Sequence, residues 1–119
     1  MIRLKRIYDR SAADDGFRVL VERLWPRGMI RERAKINLWM QDAGASTDLR
    51  KWFSHNPEKW EEFKRKYFDE LSKKPELVRM VIDLVREKPI ITFLYTAHDK
   101  EHNSAIALKM YLNSQGHAG

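Results

Sequence analysis

Apolar positions along this chain fall into two periods. Near the start, Ile2, Leu4 and Ile7 are interspersed with Arg3, Lys5 and Arg6, the pattern of a strand with one wet face over residues 2–8. Residues 9–16, DRSAADDG, are polar and end in Asp-Gly, a turn signal. Phe17 to Leu24 reads as a second strand. Its uninterrupted Val19-Leu20-Val21 is expected of a central strand covered on both faces. The loop between the two strands is too short for a helical crossover, so as neighbours they would be antiparallel.

A three-to-four residue period follows. Pro26-Arg27-Gly28 ends the strand, and the spacing predicts a helix carrying Ile36, Leu38, Trp39 and Met40, stopped by Gly44. Ser46 or Thr47 can cap a short helix with Leu49, Trp52 and Phe53 on its inner face. Asn56-Pro57-Glu58 restarts the chain as cap, first helical residue and acid at the positive end. Trp60, Phe63, Tyr67 and Leu71 then recur at helical spacing, with Glu61–Arg65 and Glu62–Lys66 as outer pairs. Pro75 begins a helix with Leu77, Val78, Val81, Leu84 and Val85 in its stripe. Residues 90–95, IITFLY, form the strongest strand, β-branched and aromatic. Ala97-His98-Asp99, with Asp99 as N-cap, turns into a last helix through Ala105, Leu108 and Leu112, whose tail from about residue 114 should fray.

The chain order is therefore β-β-α-α-α-α-β-α. This predicts one α/β domain over residues 1–119, with a short mixed sheet and flanking helices. The long helical stretch permits strands two and three to pair in parallel.

Composition narrows the class. Hydrophobic residues make up 43% and charged residues 34%, the balance of a globule rather than a disordered tail. With no cysteine, neither disulfides nor thiolate chemistry is available. No apolar run approaches a membrane span and no signal-type segment opens the chain, so a cytoplasmic protein without membrane contact is expected. The net charge is +6. Residues 1–60 hold 13 Lys/Arg against 8 Asp/Glu, so the excess sits in the first half. That suits a small anionic ligand or nucleic acid, and equally a charge that serves solubility.

If strands two and three run in parallel side by side, their C-terminal ends share one sheet edge, where ligands of open α/β folds bind. One end delivers Arg23, Trp25, Arg27 and Gly28. The other delivers Tyr95, His98 and Asp99, followed by His102 and Asn103. Arg23 and Arg27 could clamp a phosphate or carboxylate, or pair with Glu22, Asp42 or Asp48. Trp25 could stack on a ring, or pack as core. Ser46 reads as a helix cap, since no nucleophile elbow surrounds it. Arg50 is a third anion contact or a surface ion pair. His55 either titrates as an acid or base or complements a helix end. Asp99 and His102 read either as a cap and its neighbour or as a proton-handling pair. His98 and His102 are four apart, but no HExxH pattern exists, so no metal is assigned and no cofactor is expected.

Four blocks carry a resemblance. Residues 19–28, VLVERLWPRG, 49–55, LRKWFSH, 57–63, PEKWEEF, with Tyr67 and Glu70-Leu71, and 94–105, LYTAHDKEHNSA, together resemble the YeaO-like proteins, domain-of-unknown-function family 488. Glu22 stands where Asp is usual, Ala45 replaces a proline, Ser54 stands where Gly is common, and His98 where Lys or Arg is common. The resemblance implies a small cytoplasmic α/β domain of prokaryotic type and supplies no reaction. The expectation is a polar cleft for a phosphate- or nucleotide-like anion. Arg23, Trp25, Arg27, Gly28, Ser46, Arg50, His55 and Asn103 would bind the ligand. Asp99 and His102 would act as an acid–base pair of hydrolase type. A basic nucleic-acid-binding module and a homo-oligomeric interaction protein are the alternatives.

Overall fold

The computed structural model describes residues 1–116. In chain order it has β1 (Ile2–Arg6), β2 (Phe17–Leu20), α1 (Arg31–Ala34), β3 (Leu38–Trp39), α2 (Thr47–Phe53), α3 (Trp60–Ser72), α4 (Pro75–Glu87), β4 (Ile91–Tyr95) and α5 (Ser104–Ser114). The α/β architecture stands. No helix among the described residues is long and apolar enough to cross a membrane.

The sheet is parallel throughout, in the order β1-β4-β2-β3, which corrects the expected mixed sheet. β1 and β2 never meet. β4 lies between them, with Ile91 level with both Ile2 and Phe17. A strand hydrogen-bonded on both edges and covered on both faces is mostly apolar, and all five residues of β4 are buried, with Thr92 the one polar side chain and hydrogen-bonded. The predicted β2–β4 parallel pairing is present.

Side-chain alternation divides the interior in two. Val19, Ile91, Phe93 and Tyr95 point towards α2–α5 and join Leu49, Phe53, Phe63, Tyr67 and Leu108 in the larger core. Phe53, Trp60 and Tyr67 all pack on Phe63, their ring centroids 4.4, 5.5 and 5.9 Å from its own. Leu20 and Leu94 point to the other face. There a smaller core, with Ile7, Met29 and Ala34, is roofed by segments 7–16 and 25–36.

The roof over that second face is held by a buried ion network. Asp15 and Arg18 are 3% and 4% exposed. Arg18 donates to Asp15 at 2.5 Å and to the carbonyls of Ala34 and Lys35. Lys5 donates to Asp15 at 3.0 Å, and the Thr92 hydroxyl donates to the Asp15 carbonyl. Burial raises the Asp15 pKa. Hydrogen bonds from the Ala12 N–H, Lys5 and Arg18 outweigh it and leave the carboxyl below its ordinary value. Gly16 closes the segment at φ +65, where an added Cβ would stand 2.3 Å from the Ile90 carbonyl oxygen.

Other expectations shift locally. The helix expected over residues 36–40 is instead α1 followed by edge strand β3, because Lys35 adopts a left-handed conformation that ends the helix one turn in. β2 stops at Leu20, four residues early, since beyond Val21 the chain turns away from the sheet. The last helix starts at Ser104 with Asn103 as its cap, because Asp99 is taken up capping an earlier turn. On α3 the outer acids pair three residues along, Glu61 with Lys64 and Glu62 with Arg65. α5 runs to Ser114; the rest of the fraying expectation, residues 117–119, lies outside the described residues.

Candidate functional site

A cavity of about 370 Å³ opens at the C-terminal edge of the sheet. Its floor is Glu22, just past β2, and Thr96-Ala97, just past β4. One wall is α2 and its C-terminal turn, presenting Arg50, Lys51 and His55. The opposite wall is the approach to α5, presenting His102 and Asn103. Phe53, Phe63 and Leu24 supply apolar surface.

Backbone constraints bring Glu22 here. The Trp39 indole N–H donates to the Glu22 carbonyl at 2.7 Å, and Gly44 passes so close that a Cβ there would stand 2.7 Å from the Arg23 nitrogen. The Glu22 side chain is 9% exposed. Its Oε1 accepts from the Thr96 N–H at 3.0 Å and from the Thr96 hydroxyl at 3.1 Å. Oε2 takes no hydrogen bond from any described residue. Burial pushes the Glu22 pKa up, against the opposing pull of the Thr96 bonds and of the Arg50 and His55 charges. The guanidinium of Arg50, partly exposed, makes no hydrogen bond or ion pair with a described residue. His55 follows the left-handed cap of α2 and is itself left-handed at φ 56.

His102 sits edge-on to Trp60, ring centroids 5.2 Å apart. Its Nδ1 lies 2.7 Å from Asp99 Oδ2. Hydrogen bonds from the Glu101 N–H and from His102 hold the Asp99 carboxyl below its ordinary value. An ionised carboxylate only accepts, so Nδ1 carries the proton and Nε2 is left for other partners. Asp99 lies behind His102 and outside the cavity lining. Asn103 faces the cavity, but both ends of its amide are engaged: Oδ1 accepts from the Ile106 N–H and Nδ2 donates to the Asp99 carbonyl.

The arginine–tryptophan part of the expected site is not brought to this cavity. Arg23 turns towards the loop before α2, donating to the carbonyls of Ala45 and Gly44 and lying 3.7 Å from Asp42. Trp25 belongs to the smaller core, edge-on to Trp39, with its N–H on the Met29 carbonyl and Arg31 over its ring. Arg27 and Gly28 are exposed on the turn beyond it. Of segment 23–28 only Leu24 lines the cavity; Arg23 and Trp25 are held by their own partners, and Arg27 and Gly28 stay on the exposed turn. Ser46 caps α2 through the Leu49 N–H, and its own N–H and hydroxyl are both held by Glu70. Arg50, His55, His102 and Asn103 do converge.

Glu22 and Thr96 were not expected as site residues. The one signal for Glu22 is an acid directly after an unbroken apolar triplet; a carboxylate there must leave the sheet or find partners at its edge. Thr96 gives no signal of its own. Among the described residues no group of three or more His, Asp or Glu could hold a metal ion.

The family described as DUF488-N3i, an inactive DUF488-N3 subclade, matches residues 1–118. The chain is 34% identical over 113 residues to the uncharacterized protein YeaO of Escherichia coli (strain K12), spanning 95% of this chain and 97% of that one. It is 40% identical over 70 residues to the uncharacterized proteins Rv3073c of Mycobacterium tuberculosis and Mb3100c of Mycobacterium bovis, covering 59% of each. No solved structure matches the chain. By the extent of the family match and of the likeness to YeaO, this chain belongs to the DUF488-N3i family of YeaO-like domains.

Proposed function

We propose that this protein binds a small phosphate- or nucleotide-like anion at the sheet edge and retains it without turnover. The observation that carries this reading is the Arg50 guanidinium, unpaired among the described residues, in one cavity with His55 and His102. An unpaired guanidinium beside Lys51 in a cleft attracts an anion, and its planar fork fits phosphate oxygens through two parallel bonds. Phe53, Phe63 and Leu24 offer a face for the ligand's apolar part. The description of the family as inactive supports retention over turnover.

Acid–base catalysis is the second reading, favoured by the Asp99–His102 contact of 2.7 Å, which fixes the imidazole tautomer.

One experiment tests both. Adenosine monophosphate and inorganic phosphate are titrated calorimetrically into wild-type protein and Arg50→Ala, and the recovered nucleotide is weighed by mass spectrometry. Binding weakened roughly 10- to 100-fold in a folded Arg50→Ala, with intact nucleotide, supports the anion site. Equal binding by both proteins rejects it. A product lost in His102→Asn supports catalysis. A short oligonucleotide whose affinity falls steeply with salt would favour nucleic-acid docking instead.

A further inference from the structure

Glu22 poses a separate problem. A buried carboxylate inside a cation-lined cavity weakens any purely anionic ligand by like-charge repulsion. Its two oxygens are unlike: Oε1 takes both Thr96 bonds and Oε2 takes none, yet no fully enclosed side-chain oxygen among the described residues lacks a partner, so Oε2 is reachable from the cavity that Glu22 lines. The nearest cationic guanidinium on the cavity wall, Arg50, forms no ion pair with it. Acid and base therefore line the same hollow, joined by no hydrogen bond or ion pair. A carboxylate oxygen only accepts, so whatever completes Oε2 must donate.

We infer that the ligand is two-ended: an anionic group held by Arg50, and an amino or amide nitrogen whose N–H is accepted by Glu22 Oε2. This deepens the anion-site reading and rests on it. Thr96 is then a positioning residue. By holding Oε1 with two bonds it fixes the rotation of the carboxylate and aims Oε2 into the cavity. Phe53 and Phe63 in the same lining suit a flat ring bearing the nitrogen.

The test compares probes with and without the nitrogen donor: adenosine monophosphate against purine riboside monophosphate, which has hydrogen in place of the amino group, and phosphoethanolamine against ethyl phosphate. Each is titrated into wild type, Glu22→Gln and Arg50→Ala, with folding checked by thermal melting. Wild type should prefer the amino-bearing member of each pair by roughly 10- to 100-fold, the worth of a hydrogen bond to a charged acceptor. Glu22→Gln should lose that preference, while Arg50→Ala should weaken both members alike. Equal wild-type affinity within both pairs overturns the inference and leaves the anion site intact, provided Arg50→Ala still weakens binding. Absence of binding by every probe overturns both. If Glu22→Gln does not fold, the wild-type pair preference alone decides.

Discussion

Glu22 and Thr96 clasp the ends of two neighbouring strands: one carboxylate oxygen accepts both the backbone N–H and the hydroxyl of Thr96, at 3.0 and 3.1 Å. A group that shapes the cavity is thereby also part of the scaffold, and its ionisation couples site to stability.

That coupling has a definite sign. Burial raises the Glu22 pKa above its unfolded value. The folded protein therefore holds this proton more tightly than the unfolded chain does. Its contribution to stability is full below the unfolded pKa and is lost as pH rises through the folded one. Glu22→Gln keeps an acceptor for Thr96 and removes the charge. In urea melts, the variant should gain on wild type as pH rises from about 4 to about 7. A difference independent of pH would show that the carboxylate does not bear the burial cost.

Asp15 behaves in the opposite sense. Its pKa is lowered, so its stabilisation is present above the unfolded value and lost as pH falls through the folded one. Asp15→Asn leaves Arg18 buried without a counter-charge and should cost about 3–5 kcal/mol in chemical denaturation. Replacing Arg18 by Met in the same background should recover part of that loss. A cost below about 1 kcal/mol for the single change would mean water reaches the network.

Gly16→Ala should destabilise by at least about 2 kcal/mol, combining left-handed strain with a backbone clash. The clash is with the Ile90 carbonyl, 2.3 Å from the added Cβ, which lies just before β4 and cannot swing aside. Thermal melting of the variant checks this. An unchanged midpoint would contradict the close approach.

Ser46→Ala removes the cap of α2 and releases Glu70 from a hydroxyl bond. The expected cost is about 1–2 kcal/mol. Hydrogen exchange should quicken in α2 before α3, and Arg50, on α2, should lose probe affinity alongside. A loss of stability with uniform exchange would place the cap's role elsewhere.

Much of this was legible wherever a single local rule decides. Residues 90–95 announce a buried strand because β-branched and aromatic side chains have few other uses, and they form the central one. Trp60, Phe63, Tyr67 and Leu71 fall on one helical face and are all buried. Legibility failed where distant residues decide. Leu38 and Trp39 carry an apolar pattern too short to separate helix from strand; pairing with Val19 and Leu20 settles it. Nothing local indicates that β4 inserts between β1 and β2. In the site, Arg50 and His102 could be found because one lies on a short capped helix and the other beside the start of the last helix. Arg23 and Trp25 could not be ruled out, since their displacement depends on β2 ending at Leu20, a property of its partners.

The position of β4 sets an order of events on the ribosome. β1 and β2 have no edge in common, so every hydrogen-bonded rung between them waits for residues 91–95. A nascent chain released before residue 91 holds only the brief β2–β3 pairing, with β1 unmatched and the other edge of β2 open, a template for association with other chains. Translation must pass residue 95 before the sheet can close, and folding is governed by contacts between segments far apart in sequence.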